Sequence, residues 1–185
     1  MATFRAQGII LRKTDRGEAD QLFSIYTDSR GKVSALGRGV RKIQSKLNGH
    51  LQPFTVSQLL IAPGRVYDHV AGAESEKVFW QIRSNVKKIV LANYALELVD
   101  AMTRVGQPDE RIFELLVRYL TALDEHDFSA RDWQAVRQAF VIKLMTLLGF
   151  EPPVDVTKSV SSLDKFLEQH LDQELQTAKF LVRLR

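Results

Sequence analysis

The sequence contains no cysteine. That excludes a disulfide framework, thiol catalysis and any zinc or iron–sulfur site built on cysteine. No unbroken apolar run approaches the roughly 18 residues that mark a membrane-spanning helix. The motifs of several enzyme classes are missing too: there is no Gly-x-Ser-x-Gly elbow, no His-Glu-x-x-His pair and no glycine loop followed by Lys-Ser or Lys-Thr. Gly37-Arg38-Gly39 is too short for a dinucleotide fingerprint, and no helical pattern follows it. His50, His69, His126 and His170 are scattered singly, without ligand spacing. His126 lies in Asp124-Glu125-His126-Asp127, which reads as a solvated acidic loop, and no pair of carboxylates stands out for acid–base work. No catalytic residue, cofactor or metal is assigned, and the chain is not expected to be an enzyme. Its start, Met-Ala-Thr-Phe-Arg-Ala-Gln, is too polar for a secretory leader, so a cytoplasmic address is expected.

What is present is an ordinary globular composition, 45% apolar and 26% charged over 185 residues. The net charge of +4 is unevenly spread. Residues 1–80 carry 12 Lys and Arg against 7 Asp and Glu, a balance of +5, whereas residues 81–185 carry 14 against 15, a balance of −1. From Ser29 to Tyr67 there are Arg30, Lys32, Arg38, Arg41, Lys42, Lys46 and Arg65 and no acid at all. So one-sided a block suits a polyanion partner or a solvated face, and charge alone leaves both open.

The two regions also differ in period. Gly8 to Leu11, Gln21 to Thr27, Lys32 to Val40, Phe54 to Ala62 and Val66 to about Ala73 read as short strands. Lys13 to Asp20 reads as a polar break, Asp28-Ser29-Arg30-Gly31 as a type I turn and Pro63-Gly64 as a second turn. In the third strand Val33, Ala35 and Gly37 share a face. Five short strands suit a small closed barrel such as an OB-fold, and SH3-like barrels share the inventory. From Val78 onward the period is helical. One stripe runs from Val86 to Met102, stopped by Gly106 and Pro108. A second runs from Ile112 to Leu123, and a third from Trp133 to Leu148 behind a capping-box-like Ser129 and Asp132. Ser161 to about Leu184 reads as a last helical stretch. The predicted class is α+β: a barrel in residues 1–77 and a helical bundle in 78–185.

Between the third and fourth strands, Arg38, Arg41, Lys42 and Lys46 place four cations within nine residues. Such a segment is a phosphate track whose occupancy releases counterions, and nothing in its spacing encodes base reading. Gly37 and Gly39 permit close backbone approach to a ligand or merely a bulge. Phe4, Phe23, Tyr26 and Phe54 lie in the right half for stacking platforms but are expected in the core.

Several ordered segments resemble the RecO family of bacterial DNA repair and recombination mediators: Gly8-Ile9-Ile10-Leu11-Arg12, Gly17-Glu18-Ala19-Asp20, Gly31-Lys32-Val33-Ser34-Ala35, Gly37-Arg38-Gly39-Val40-Arg41, Ser45-Lys46-Leu47 and Leu51-Gln52-Pro53-Phe54. Tyr94-Ala95-Leu96-Glu97-Leu98 and Leu147-Leu148-Gly149-Phe150 continue the likeness, with a weaker echo from Leu163 to Leu181. The resemblance implies an N-terminal OB-fold and a C-terminal helical domain. It also implies binding of single- and double-stranded DNA, strand annealing, capture of the acidic C-terminal tail of single-strand DNA-binding protein, and work with RecR to load recombinase. Carried over, the DNA surface falls on Arg38 and Arg41, with Lys42 and Lys46 beside them and Arg30 and Lys32 flanking. Many members carry a four-cysteine zinc module after the Leu-Leu-Gly-Phe segment. Here Glu151-Pro152-Pro153-Val154-Asp155 leads almost directly to the last helix, as if the module were deleted. The chain alone is expected to be a monomer. An RNA-binding OB module, or a protein adaptor whose basic face is idle, are the alternative readings.

Overall fold

The computed structural model describes residues 2–172 and 174–181. Five strands, β1 (Phe4–Arg16), β2 (Asp20–Thr27), β3 (Gly31–Gly37), β4 (Thr55–Ala62) and β5 (Asp68–Val78), close into a barrel in the order β1-β2-β3-β5-β4. Every neighbouring pair is antiparallel except β3 with β5. A first strand shared by β2 and β4, with a parallel β3–β5 closure, is OB topology and decides against the SH3-like alternative. β1 serves two ladders because it bends: Phe4–Ile9 pairs with β4, Gly8–Arg16 pairs with β2, and a bulge falls between Ile10 and Arg12. Gly8 stands where the ladders overlap; a Cβ there would lie 2.6 Å from Leu59 Cδ1 and 2.9 Å from Ile25 Cγ2.

Three strands differ from their expected bounds by more than one residue. Lys13–Arg16 is not a loop but pairs with Asp20–Phe23, its polarity being that of an exposed ribbon end. β3 stops at Gly37 rather than Val40, because Gly39 takes φ +64° and Val40 turns back into the barrel. β5 continues to Val78 along β4.

Alternation sorts the strand residues into two cores. Ile10, Phe23, Ile25, Val33, Ala35, Leu59, Ile61 and Val70 fill the barrel, with Val40 and Leu51 entering from the β3–β4 loop. Gly37 belongs to this face, where a Cβ would lie 2.7 Å from Phe23 Cε2, so its smallness makes room for a core ring rather than for a ligand. Ile9, Leu11, Tyr26, Phe54 and Val56 point outward and join the helical residues in one continuous core.

The helices are α1 (Trp80–Ser84), α2 (Val86–Met102), α3 (Glu110–Glu125), α4 (Ala130–Leu147), α5 (Val154–Thr157), α6 (Val160–Glu168) and α7 (Ala178–Leu181). The helical period breaks once near its start, at Asn85, whose extended backbone ends α1 and whose Oδ1 accepts from Lys87 N and Lys88 N at the head of α2. Asp109 caps α3, and Ser129 with Asp132 forms the expected capping box on α4. The last stretch is not the continuous helix its period suggests. After α6, Glu97 on α2 accepts the backbone N–H groups of Gln176 and Thr177 at 2.6 and 2.9 Å and also the Thr177 hydroxyl, which starts a separate turn, α7. Leu184 lies outside the described residues. Among those described, no helix is long and apolar enough to cross a membrane.

Candidate nucleic-acid interface

The segment between β3 and β4 is held by what it buries. Val40 and Leu51 sit in the barrel, and Gly39 N–H donates to Asp20 Oδ1 at 2.8 Å while Arg41 N–H donates to Ala19 O at 3.0 Å. A 3₁₀ turn, Asn48–His50, is tied to β4 and β5: Ser57 Oγ donates to His50 O at 2.6 Å and Ser75 N–H to His50 Nδ1 at 3.1 Å. With both ends anchored and Leu47 packed against the barrel core, most of the side chains between them face solvent. Arg38, Lys42 and Lys46 are exposed, and Ile43 is 104% exposed. Arg41 is half-committed, with Nη1 3.2 Å from Asp15 Oδ2 and donating to Gly17 O at 3.4 Å.

Three loops meet at this end of the barrel. Because β3 residues Ala35 and Leu36 pair with Asp68 and His69, the β4–β5 turn lies beside the start of the β3–β4 loop. Exposed Arg65 and half-buried Tyr67 stand in that turn, and Arg16, at the end of β1, lies with its guanidinium 5.9 Å from the Tyr67 ring. Turns 1–2 and 4–5 of an OB-fold are the elements that flank its nucleic-acid groove. Sequence reading missed Arg16 and Tyr67 because only the β1–β2 and β4–β5 turn positions of the closed barrel give them their place. Folding also brings acids to a block that is acid-free along the chain: Asp15 pairs with Arg41, and Asp20 holds Gly39.

Arg30 and Lys32 stand apart. They lie at the far end of the β2–β3 hairpin, whose seven-residue β3 spans roughly 23 Å at ~3.3 Å per residue. The Arg30 guanidinium covers the Phe4 ring at 5.1 Å. Lys32 is 13% exposed at its side chain; its ammonium donates to Asp100 O at 2.5 Å and lies 3.5 Å from Asp100 Oδ1. The same carboxylate accepts from Arg12 Nε at 2.8 Å and Ser24 Oγ at 2.6 Å. Lys32 thus fastens the barrel to α2 and does not share a surface with Arg38. Nearby, Tyr26 OH donates to Asp109 O at 3.2 Å, and burial, with the negative Asp109, pushes its hydroxyl up to about 12. Phe23, Tyr26 and Phe54 are core residues, as expected, and Phe4 is half-buried.

A groove of about 690 Å³ opens in the helical half, walled by Leu91, Tyr94, Trp133, Leu167, Leu171 and Leu175. At its floor Arg137 makes a two-pronged pair with Asp164 at 2.9 and 3.1 Å and lies 5.3 Å from the Tyr94 ring. Burial pushes the Tyr94 hydroxyl up to about 12. Lys87, Arg137 and Lys179 face Asp164, Glu168, Asp172 and Glu174 around the groove, a nearly balanced lining. Among the described residues no three His, Asp or Glu gather as a metal site.

The family model described as Recombination protein O N terminal matches residues 1–79, and that described as Recombination protein O C terminal matches residues 83–159. The chain is 35% identical over 155 residues to a protein of Pelotomaculum thermopropionicum named DNA repair protein RecO, covering 84% of this chain and 59% of that one. A protein of the same name from Alkaliphilus metalliredigens is 33% identical over 148 residues, 80% of this chain and 59% of the other. A third, from Rubrobacter xylanophilus, is 33% identical over 155 residues, 84% and 61% respectively. The chain thus spans about three-fifths of the length of these relatives. The matched region stops at Ser159, so the echo from Leu163 to Leu181 lies beyond it.

Proposed function

The chain belongs to the RecO family of DNA repair proteins, and from that premise we propose that it is a non-enzymatic mediator that binds single- and double-stranded DNA and anneals complementary strands. The observation that carries this reading is the convergence of Arg16, Arg38, Arg41, Lys42 and Arg65 from three loops at one end of an OB barrel. Annealing makes and breaks no covalent bond. It needs cations that offset the repulsion between two phosphate backbones while bases pair. In this reading residues 1–77 are the DNA-binding domain and 78–185 the helical domain, and the protein acts in the cytoplasm. Arg38, Arg41, Lys42 and Lys46 are the proposed DNA contacts, with Arg30 peripheral and Lys32 structural.

The partners follow the family: the acidic tail of single-strand DNA-binding protein and RecR, toward loading of recombinase. The helical groove is the proposed seat of the tail. Its acids Glu168, Asp172 and Glu174 oppose Lys87 and Lys179, so that contact is expected to rest on apolar walls and to depend weakly on salt.

The test is salt-titrated DNA binding and strand annealing by wild type and by R38E/R41E/K42E. The variant should weaken DNA of any sequence by a similar factor and flatten the salt dependence by a slope of roughly 0.7 per lost single-strand contact. Its circular dichroism should match wild type, since all three side chains are exposed. Unchanged affinity moves the site off this loop. Competition with RNA of the same sequence separates DNA from RNA handling through the 2′-hydroxyl.

A further inference from the structure

The loop that begins at Arg38 ends at Gln52 and Pro53, and a second cationic group waits there. Lys13 Nζ donates to Gln52 Oε1 at 2.9 Å, and Gln52 is oriented by its own amide, which donates to Asn48 O and Asn48 Oδ1 at 2.6 and 2.8 Å. Arg83 reaches the same place from α1. Its Nη2 donates to Pro53 O at 3.0 Å and Thr55 Oγ1 at 2.9 Å, leaving the other guanidinium donors without a hydrogen bond among the described residues. Among the described residues no carboxylate forms an ion pair with Lys13 or Arg83. Burial, and then the repulsion of Arg83, hold the Lys13 ammonium below the usual lysine range. Two converging cations without an anion are a cost to the fold that a bound anion would relieve. Beside them Trp80 is 65% exposed, with the Arg83 guanidinium 5.1 Å from its ring. The cation over its face pre-orients the indole.

Position links this group to the loop. Lys13 and Asp15 point to the same side of β1, two residues or about 7 Å apart, and Asp15 is the residue that holds Arg41. The two cation groups are therefore the two ends of one loop, on one side of one strand.

We propose that Trp80, Lys13 and Arg83 form a second contact for single-stranded DNA, with a base stacked on Trp80 and an adjoining phosphate on Lys13 and Arg83. This rests on the DNA-binding reading above and extends it from the barrel end to the barrel–helix junction. A strand laid along the loop would span both contacts, its phosphates on cations and one base on an aromatic face, the combination that single-strand grooves use.

The test labels the chain with 5-fluorotryptophan, giving two ¹⁹F resonances, one for each tryptophan, assigned with W80F. On titration with oligothymidylate the Trp80 resonance should shift and the Trp133 resonance should not. W80A should weaken oligothymidylate binding roughly 5- to 150-fold, and W80F should restore most of it. K13Q should lower the salt slope by about 0.7. Thermal midpoints and circular dichroism establish that each variant is folded. A stationary Trp80 resonance at saturation, with W80A and K13Q binding like wild type, overturns this contact; if R38E/R41E/K42E still loses binding, the DNA-binding reading stands without it. If the wild-type chain binds no oligothymidylate, both fall.

Discussion

Replacing Asp100 by alanine removes the junction between barrel and helices at its most crowded point. The carboxylate is 12% exposed and receives Lys32, Arg12 and Ser24. Arg12 is 67% exposed, so its share is that of a surface pair, about 0–1 kcal/mol. The larger share comes from Lys32, 13% exposed, which among the described residues would be left with only the Asp100 backbone carbonyl as partner. Orphaning a buried charge costs ~3–5 kcal/mol, and incomplete burial places this one toward the lower figure. For a chain of this size each kcal/mol corresponds to about 2–4 °C, so D100A should melt roughly 6–12 °C below wild type. The control is K32M/D100A. If the cost lies in the stranded ammonium, removing it too should recover about 1.5 kcal/mol or more, a coupling measurable by urea titration of the full cycle. K32M alone should leave the salt slope of DNA binding unchanged, since Lys32 faces α2 and not the Arg38 loop. A loss under about 1 kcal/mol in D100A, with no coupling to Lys32, would show that the junction is held by apolar packing alone. A lower salt slope in K32M would return Lys32 to the DNA surface.

Gly31 and Gly17 share a left-handed backbone, φ +63° and +65°, but differ in surroundings. A Cβ at Gly31 would lie 2.2 Å from Gln107 O, whereas nothing lies within 4 Å at Gly17. G17A should therefore cost only the conformational ~1–2 kcal/mol, and G31A clearly more; equal melting losses would refute the close approach. Asp109 caps α3, and the Arg111 side chain beside it holds its carboxyl below the ordinary value of 3.8. The stabilisation is complete above that ordinary value and is lost as pH falls through the folded one, because only the unfolded state binds the proton in between. D109A should cost about 1 kcal/mol at neutral pH, and the gap in melting temperature should narrow in acid; a gap independent of pH would refute the assignment. A chelator should leave the melting temperature unchanged, as the chain has no cysteine to build a zinc site.

What the sequence by itself determined are the properties written between near neighbours. Alternation in Val33, Ala35 and Gly37 marks the inner face of β3, and the Ser129–Asp132 spacing marks the start of α4. The Asp28–Gly31 and Pro63-Gly64 turns between strands, and the switch of period near Val78, are local as well, because they depend on backbone geometry within a few residues. The cationic loop was legible for the same reason: Arg38, Arg41 and Lys42 lie between two apolar anchors in one short stretch. Tertiary structure decided the rest. Lys32 looked equivalent to Arg38 until Asp100, 68 positions away, took its charge. The acid-free block met Asp15 and Asp20 only on closure of the barrel. The final apolar stripe stops being helix after Glu168, and Glu97 captures Gln176 and Thr177 to start a separate turn. Lys13 and Trp80 carry no signal along the chain, since an ammonium without a carboxylate and an indole in water are defined by what surrounds them. Charge and hydrogen-bonding act through space over a few ångströms, and only the closed barrel docked on its helices sets which residues come within that range.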